Sequence, residues 1–354
     1  MKSIFTLVFC FSVSSLFAQS FSSPESVEYD VANGRYLVSN RGAVKSIQSV
    51  IPGQAPTLFT SNVTSPAGLE ILGSKLWVCD GGRMKSYDLT TGALVNNINV
   101  GATFLNGVTS DGSQFLFVSD FTAKQIYRIN TVTEAFNVMV SNTVSSPNGM
   151  WYDGVNNRLI FVNWGASSAI KAVSLNDSAV STITPTSLGN CDGIGKDAAG
   201  NYFVSAWNTQ SINKFDNSFV SLGSVVTGLN NPADIYYNTL NDTLAVPNSS
   251  NNTVTFHFLG SNLAISENVD DFTLHVYPNP GNSDGTISYT LDESSQVEFI
   301  IYGLDGTSIL KRTASYQEKG VNSIHLKEDN LPTGEYLYSI LTSKGLFRGK
   351  FTIL

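Results

Sequence analysis

Charged and metal-binding side chains are scarce in this sequence of 354 residues. Only 14% of the residues are charged, the formal net charge is −8, and there are three histidines and three cysteines. An acidic chain without a basic cluster argues against nucleic acid or an anionic membrane as a partner. The histidines, His257, His275 and His325, fall late in the chain. The sequence therefore indicates neither a histidine-rich zinc site nor a Ser-His-Asp triad.

Long apolar runs are scarce as well. The run Ile4–Phe11 follows a single lysine and is too short for a transmembrane helix, which needs about 20 apolar residues. Together with Ala18, it predicts a signal peptide over residues 1–18 that is cleaved near Ala18. A lipoprotein signal centred on Cys10 is not favoured, because bulky Phe9 precedes that cysteine.

An internal repeat is the strongest pattern in the sequence. Six segments open with the same short phrase, at steps of 39 to 44 residues. The phrases are Pro24-Glu-Ser-Val, Pro66-Ala-Gly-Leu, Leu105-Asn-Gly-Val, Pro147-Asn-Gly-Met, Cys191-Asp-Gly-Ile and Pro232-Ala-Asp-Ile. One four-stranded blade of a β-propeller occupies a period of about 40 residues. The repeat therefore predicts six blades over residues 19–262.

Two further strands follow each phrase. The second is nearly apolar, as in Lys75-Leu-Trp-Val-Cys, which is typical of a strand between neighbouring blades. The third alternates, as in Gln125-Ile-Tyr-Arg-Ile, which is typical of a half-exposed strand. No segment has a sustained helical period, and residues Leu263 to Ser266 are candidates for the outermost strand of blade 6. Cys79 and Cys191 would lie nearly opposite each other across the ring, so we expect two separate buried thiols rather than a disulfide.

The composition changes after a linker over residues 263–271. Short alternating strands then predict a small antiparallel β-sandwich over residues 272–354, so the predicted fold class is all-β. Its phrases Tyr277-Pro-Asn-Pro, Leu304-Asp-Gly and Thr333-Gly-Glu-Tyr, in that order, resemble the type A sorting domain of type IX secretion substrates. The resemblance implies that this secretion machinery recognises the domain and exports the protein through the periplasm and outer membrane. The protein would then be released or attached to the cell surface. An ordinary carbohydrate-binding sandwich is the alternative.

One position of the repeat carries the candidate chemistry. The innermost strands of a propeller begin at one end of a central channel, so residues at the same register lie around a common axis. The second residues of the phrases are Glu25, Ala67, Asn106, Asn148, Asp192 and Ala233. Two carboxylates and two amide oxygens suit Ca²⁺ or a similar divalent cation better than zinc. Ordinary turn chemistry is the alternative, since Asn-Gly and Asp-Gly pairs are common in turns.

These positions resemble the regucalcin/gluconolactonase family, whose six-bladed propellers are related to NHL and paraoxonase-like propellers. That family holds a divalent cation with Glu, Asn, Asn and Asp at these strand starts. The metal ligands that the resemblance implies are Glu25, Asn106, Asn148 and Asp192. The sequence departs from the family at two positions. Phe104 stands where family lactonases that act on sugar acids have arginine. Pro24 precedes the glutamate, whereas in the family a proline usually follows it.

The resemblance implies a secreted, metal-dependent hydrolase of the lactonase or esterase type that acts on a small molecule, with Asp192 as the general base. Loops after the second strands would rim the same end of the channel. The candidate substrate-pocket residues are Phe104, Asp80, Asp120, Trp164 and Trp207. Blade packing is the alternative for the tryptophans. The alternative function is a non-catalytic, NHL-like propeller that serves as a secreted or cell-surface binding module.

Overall fold

A computed structural model describes residues 21–259, 274–281, 285–303, 308–326, 331–342 and 345–354. The predicted signal peptide and the candidate strand at residues 263–266 lie outside these ranges. Every regular element in the described residues is a β-strand. Among them there is accordingly no helix that is long and apolar enough to cross a membrane.

Residues 21–259 form six consecutive antiparallel sheets, which we call blades 1 to 6 in chain order. The strands of blades 1 to 3 are β1 (Pro24–Asp30), β2 (Arg35–Asn40), β3 (Ser46–Val50), β4 (Thr57–Thr60), β5 (Pro66–Leu72), β6 (Lys75–Asp80), β7 (Arg83–Asp88), β8 (Leu94–Asn99), β9 (Leu105–Ser110), β10 (Phe115–Asp120), β11 (Gln125–Asn130) and β12 (Phe136–Val140). The strands of blades 4 to 6 are β13 (Ser146–Asp153), β14 (Arg158–Trp164), β15 (Ile170–Ser174), β16 (Val180–Thr184), β17 (Cys191–Lys196), β18 (Tyr202–Ala206), β19 (Ser211–Phe215), β20 (Ser221–Val226), β21 (Tyr236–Asn238), β22 (Thr243–Asn248) and β23 (Thr253–Phe258).

The sheets are arranged as a β-propeller. Within each blade the strands follow one another in sequence order, so the first strand is innermost. The innermost strands β1, β5, β9, β13, β17 and β21 contact one another in turn, and β21 contacts β1 again. The ring is therefore closed, and the predicted all-β propeller is confirmed.

Apolar cores between neighbouring blades hold the ring together. Trp77 and Met84 of blade 2 pack with Leu116 and Val118 of blade 3, and all four are buried. Burial of such side chains contributes about 1.5–3 kcal/mol each relative to exposure. Trp77 thus has the packing role expected from its place in an apolar strand.

The third residue of each phrase controls how closely the innermost strands approach. Four phrases have glycine there, namely Gly68, Gly107, Gly149 and Gly193. A Cβ added to any of these would come within 2.1–2.6 Å of the backbone of the next blade, so a side chain is excluded. Blades 1 and 6 have Ser26 and Asp234 instead. Ser26 Oγ donates a hydrogen bond to Asp234 Oδ2 at 2.8 Å, which joins the two blades where the ring closes.

The C-terminal segment forms two antiparallel sheets with one core. Its strands are β24 (Leu274–Tyr277), β25 (Thr286–Leu291), β26 (Ser295–Tyr302), β27 (Ser308–Gln317), β28 (Gly320–His325), β29 (Gly334–Thr342) and β30 (Gly345–Ile353). One sheet has the order β24-β25-β28 and the other β27-β26-β29-β30. Residues such as Ile287, Phe299 and Phe351 fill the core. The predicted antiparallel β-sandwich is confirmed.

The two described cysteines are separate. Cys79 in β6 and Cys191 in β17 are free and buried, as the repeat register predicts. Burial raises the pKa of Cys79 well above its usual range and that of Cys191 to about 12. Both side chains are therefore protonated thiols at neutral pH, which makes them poor metal ligands.

Candidate functional site

Four oxygen-bearing side chains meet at the end of the channel where the innermost strands begin. We call Glu25, Asn106, Asn148 and Asp192 the mouth site, and each is at most 7% exposed. Asn106 Nδ2 donates to Asn148 Oδ1 at 2.5 Å. Asn148 Nδ2 donates to the carbonyl oxygen of Cys191 at 3.3 Å, next to Asp192. The same position in four different blades thus supplies one buried polar cluster.

The two carboxyl groups of the mouth site both have raised pKa values. Burial raises the pKa of Asp192 well above its usual range, and the charges of Glu25 and Asp234 raise it further. Burial also raises the pKa of Glu25, although the nearby Arg41 lowers it. Two buried carboxyls therefore share one guanidinium, and the mouth site is short of positive charge.

Arg41 is a mouth residue that sequence reasoning missed. It follows β2 in blade 1, and its Nη1 donates to Glu25 Oε1 at 3.0 Å in an ion pair. Its guanidinium carbon lies 4.4 Å from the centre of the Phe104 ring. A guanidinium from blade 1 therefore lies beside Phe104, which precedes the innermost strand of blade 3.

Aromatic rings extend from Arg41 around the mouth. We call Phe104, Phe121, Trp164 and Trp207 the aromatic wall, and all four are half-buried. Their ring centres are 5.9 Å apart for Phe104 and Phe121, 6.0 Å for Phe121 and Trp164, and 5.0 Å for Trp164 and Trp207. Trp207 Nε1 is buried without a well-formed hydrogen bond to any described residue. The indole nevertheless lies near Asp192 and lowers the pKa of that carboxyl slightly.

Asp80 and Asp120, which the sequence predicts as pocket residues, are buried side chains engaged with nearby loops. Asp80 is buried, forms an ion pair with Lys85 at 2.6 Å, and accepts backbone N–H bonds that include one from Thr64 at 2.9 Å. Asp120 is fully buried and accepts four backbone N–H bonds, one of them from Phe104 at 3.2 Å. Both carboxylates therefore hold loops, and Asp120 helps to position Phe104.

The donor atoms of the mouth site are of the type that suits a hard divalent cation. Carboxylate and amide oxygens are the ligands that Ca²⁺ prefers, and the shortage of positive charge favours a cation. Arg41 competes with it for Glu25, and the Asn148 amide oxygen is already an acceptor. Within the described ranges, no group of three or more His, Cys, Asp or Glu residues has a metal-binding arrangement. A cation here would therefore depend on the asparagines and would displace Arg41.

A cavity lies at the opposite end of the channel from the mouth site. Its volume is about 430 Å³, and we call it the lower cavity. The residue that directly follows each four-residue phrase, which we number as its fifth position, lines the cavity. These residues are Glu28, Glu70, Thr109, Trp151, Gly195 and Tyr236. Sequence reasoning considered only the second residues, although the same register argument applies to the fifth.

The carboxyls of the lower cavity resist ionisation. Burial raises the pKa of Glu28 well above its usual range, and the charges of Glu70 and Asp234 raise it further. Burial raises the pKa of Glu70 to about 7, although Ser110 Oγ donates to its Oε1 at 2.5 Å and opposes the shift. The ionised forms therefore cost free energy in the folded protein.

Replacing Glu70 with glutamine should stabilise the protein at alkaline pH. Between about pH 4.5 and 7, folded Glu70 keeps a proton that the unfolded chain has released, so stability falls as the pH rises through this window. Glutamine cannot ionise. Urea unfolding of the propeller should show Glu70→Gln to be more stable by up to about 3 kcal/mol at pH 8 and equal to wild type near pH 4. The exposed Glu134→Gln is the control, and an identical pH dependence in all three proteins would contradict the prediction.

Comparison with known proteins identifies the C-terminal domain and the fold. Residues 275–353 match the family described as the secretion system C-terminal sorting domain. This match confirms the resemblance to the sorting domains of type IX secretion substrates. None of the curated proteins is significantly similar to the chain in sequence.

Several solved structures share the propeller fold. The chain superposes on a luciferin-regenerating enzyme with a TM-score of 0.53 and 15% identity, covering 65% of this chain and 85% of that one. For a calcium-binding protein, regucalcin from Agrobacterium tumefaciens, the TM-score is 0.53 and the identity 14%, over 65% of this chain and 83% of that one. For a protein of unknown function from Bacteroides thetaiotaomicron, the TM-score is 0.55 and the identity 12%, over 66% of this chain and 69% of that one. At this identity the likeness shows the fold alone. The chain is therefore a β-propeller with a C-terminal sorting domain that directs its export by type IX secretion to the cell surface or the extracellular space.

Proposed function

We propose that this exported protein hydrolyses a lactone or ester of a small molecule at the mouth site, with the help of a divalent cation, most favourably Ca²⁺. The ligands would be Glu25, Asn106, Asn148 and Asp192. The observation that carries the proposal is the convergence of these four side chains, from four blades, in a buried cluster where two carboxyls share the single guanidinium of Arg41. The fold shared with a calcium-binding protein and with an enzyme is consistent with it.

The residues of the mouth have separable roles in this chemistry. A bound cation would act as a Lewis acid toward the substrate carbonyl. Asp192 would accept a proton from the water that adds to the carbonyl carbon, and would return it to the alkoxide released when the C–O bond breaks. Trp164 and Trp207 would pack against the apolar part of the substrate and exclude other water. The half-buried wall favours a substrate with an apolar body over a sugar lactone rich in hydroxyls.

Binding without catalysis is the second candidate, and one observation favours it. The ion pair between Arg41 and Glu25 already neutralises one mouth carboxyl, so the buried cluster can exist without a metal ion. Arg41 and the aromatic wall would then recognise a ligand that has both an acceptor group and an apolar body. In this case the protein would be a secreted or cell-surface binding module.

Calcium should raise the melting temperature of the propeller, and a chelator should lower it. A ligand that binds only the folded state at one hundred times its Kd stabilises that state by about 2.7 kcal/mol. For a domain of this size, the shift is roughly 5–10 °C. Glu25→Gln and Asp192→Asn should each abolish most of the shift, because each removes a carboxylate from the mouth site. Differential scanning calorimetry with and without calcium measures it.

Arg41→Met separates the two candidate functions. Under the cation proposal, removal of the competing guanidinium frees Glu25, so calcium should bind more tightly and shift the melting temperature further. Under the binding-module alternative, Arg41→Met should weaken ligand binding and leave a protein that does not respond to calcium. Arg83→Met is the matched control, because Arg83 is half-buried like Arg41 and lies in β7 of blade 2. A wild-type melting temperature that is unaffected by calcium and chelator would contradict the cation proposal.

A further inference from the structure

The lower cavity contains two carboxyl groups that no basic side chain among the described residues pairs with. Glu28 lines the cavity, and its Oε2 atom is buried without a hydrogen-bond partner. Glu70 accepts a hydrogen bond from the neutral hydroxyl of Ser110. Within the part of the chain that the structure describes, neither glutamate forms an ion pair with a lysine or arginine. Lys196 also lines the cavity, but its Nζ lies 4.8 Å from the centre of the Tyr202 ring.

We propose that the lower cavity is a second ligand site, which binds an organic cation. Its ammonium group would lie beside Glu28 and Glu70, and its apolar part would contact Trp151 and Tyr236. The site goes beyond the function proposed for the mouth, because it uses a different position of the repeat at the other end of the channel.

The chemistry of the lining selects this class of ligand. Aromatic faces attract ammonium groups through the ring quadrupole, and Trp gives the strongest such contact. The phrases place the two carboxyls in neighbouring blades 1 and 2, and the two aromatic side chains in blades 4 and 6. A cation with an apolar body would therefore satisfy both halves of the lining, whereas a neutral ligand would leave the Glu28 carboxyl unpaired.

The size and opening of the cavity also fit an organic ligand. Its volume of about 430 Å³ is far larger than a bare metal ion and lies within the range of small-molecule pockets. Val31 and Thr239, which also line it, are exposed, so the cavity opens to solvent. At Gly195 an added Cβ would be 3.6 Å from its nearest neighbour, so strand packing does not require glycine there, and its absent side chain leaves space for the ligand.

Isothermal titration calorimetry of the purified full-length protein at pH 8 tests the proposal. The probes are butylammonium, tetramethylammonium, the neutral butanol and calcium chloride alone. We expect both ammonium ions to bind and butanol to bind at least tenfold more weakly. Glu28→Gln and Glu70→Gln should each weaken binding of the ammonium ions at least tenfold, because each removes a negative charge beside the ligand. The exposed Glu134→Gln should bind like wild type.

Gly195→Val provides a test that does not depend on charge. Its side chain would fill part of the cavity, so it should also weaken ammonium binding at least tenfold, while the melting temperature of each variant shows that it is folded. Equal affinity for butylammonium and butanol would overturn the proposal. Tight binding that survives both glutamine substitutions would do so too, as would the absence of binding by either ammonium ion at 10 mM. Calcium binding that is lost in Glu28→Gln but kept in Asp192→Asn would identify a metal site instead and would equally overturn it.

Discussion

A chain that lacks residues 272–354 is expected to remain in the periplasm as a folded propeller. The sorting domain has its own hydrophobic core, which is built from residues between Ile287 and Ile353. The propeller cores are built from other residues, such as Leu105 and Ile160. Removing the domain therefore removes the export signal without opening the propeller. Cell fractionation followed by immunoblotting should show complete loss of the extracellular or surface-bound protein.

The converse experiment controls for indirect effects of the deletion. Residues 272–354 attached to an unrelated protein that folds in the periplasm should carry that protein across the outer membrane. A second control is the truncated propeller itself, whose melting temperature should match that of the propeller in the full chain. If the truncated protein appeared outside the cell in wild-type amounts, the assignment of the sorting domain would be wrong.

Asp192→Asn is expected to reduce hydrolysis at least 100-fold on any lactone or ester that the wild-type protein cleaves. Loss of a general base typically costs between about 10² and 10⁴ in rate, and a lost cation ligand would add to this. Asparagine has the same shape and removes a carboxyl whose ionised form is already disfavoured by burial, so the fold should persist. The measurement is kcat/KM in saturating calcium, across lactones and esters with apolar and polar bodies.

Two comparisons make the Asp192 result interpretable. The exposed Asp177→Asn has the same chemical change away from the channel and should leave kcat/KM unchanged. Ligand binding by Asp192→Asn, followed through tryptophan fluorescence of Trp164 and Trp207, should persist if the aromatic wall holds the substrate. If wild type and Asp192→Asn cleaved the same substrates equally fast, or if the calcium-loaded wild type cleaved none of them, the hydrolase proposal would fail.

The internal repeat predicted most of the fold because each blade repeats the same physical problem. A phrase that begins an innermost strand must avoid clashes with the next blade, and this requirement explains Gly107 and Gly149. The apolar second strands follow from burial between blades. The convergence of Asn106 and Asn148, now in direct contact, followed from register alone. Because the blades repeat, a contact between residues far apart in sequence can be predicted from their positions in the repeat.

Features outside the repeat could not be predicted in this way. Arg41 and Phe121 follow strand ends as single residues, and nothing in their neighbours marks them as facing the channel. For Asp80 and Asp120 the sequence leaves two roles open, because an acidic residue at the end of a strand can line a pocket or anchor a loop. Their backbone hydrogen bonds show that both carboxylates anchor loops. The lower cavity was readable in principle, since Glu28 and Glu70 share one register.

The way in which the ring closes means that the chain could begin at a different blade without changing the fold. In the described residues, blades 1 and 6 share no strand and meet through contacts such as Ser26 with Asp234. The two ends of the propeller are close, since the backbone N–H of Ser23 donates to Asn252 Oδ1 at 2.7 Å. A short linker between these ends, with new termini opened between any two other blades, should therefore give a circular permutant with the same channel. The mouth and the lower cavity belong to the ring, and neither depends on where the polypeptide starts.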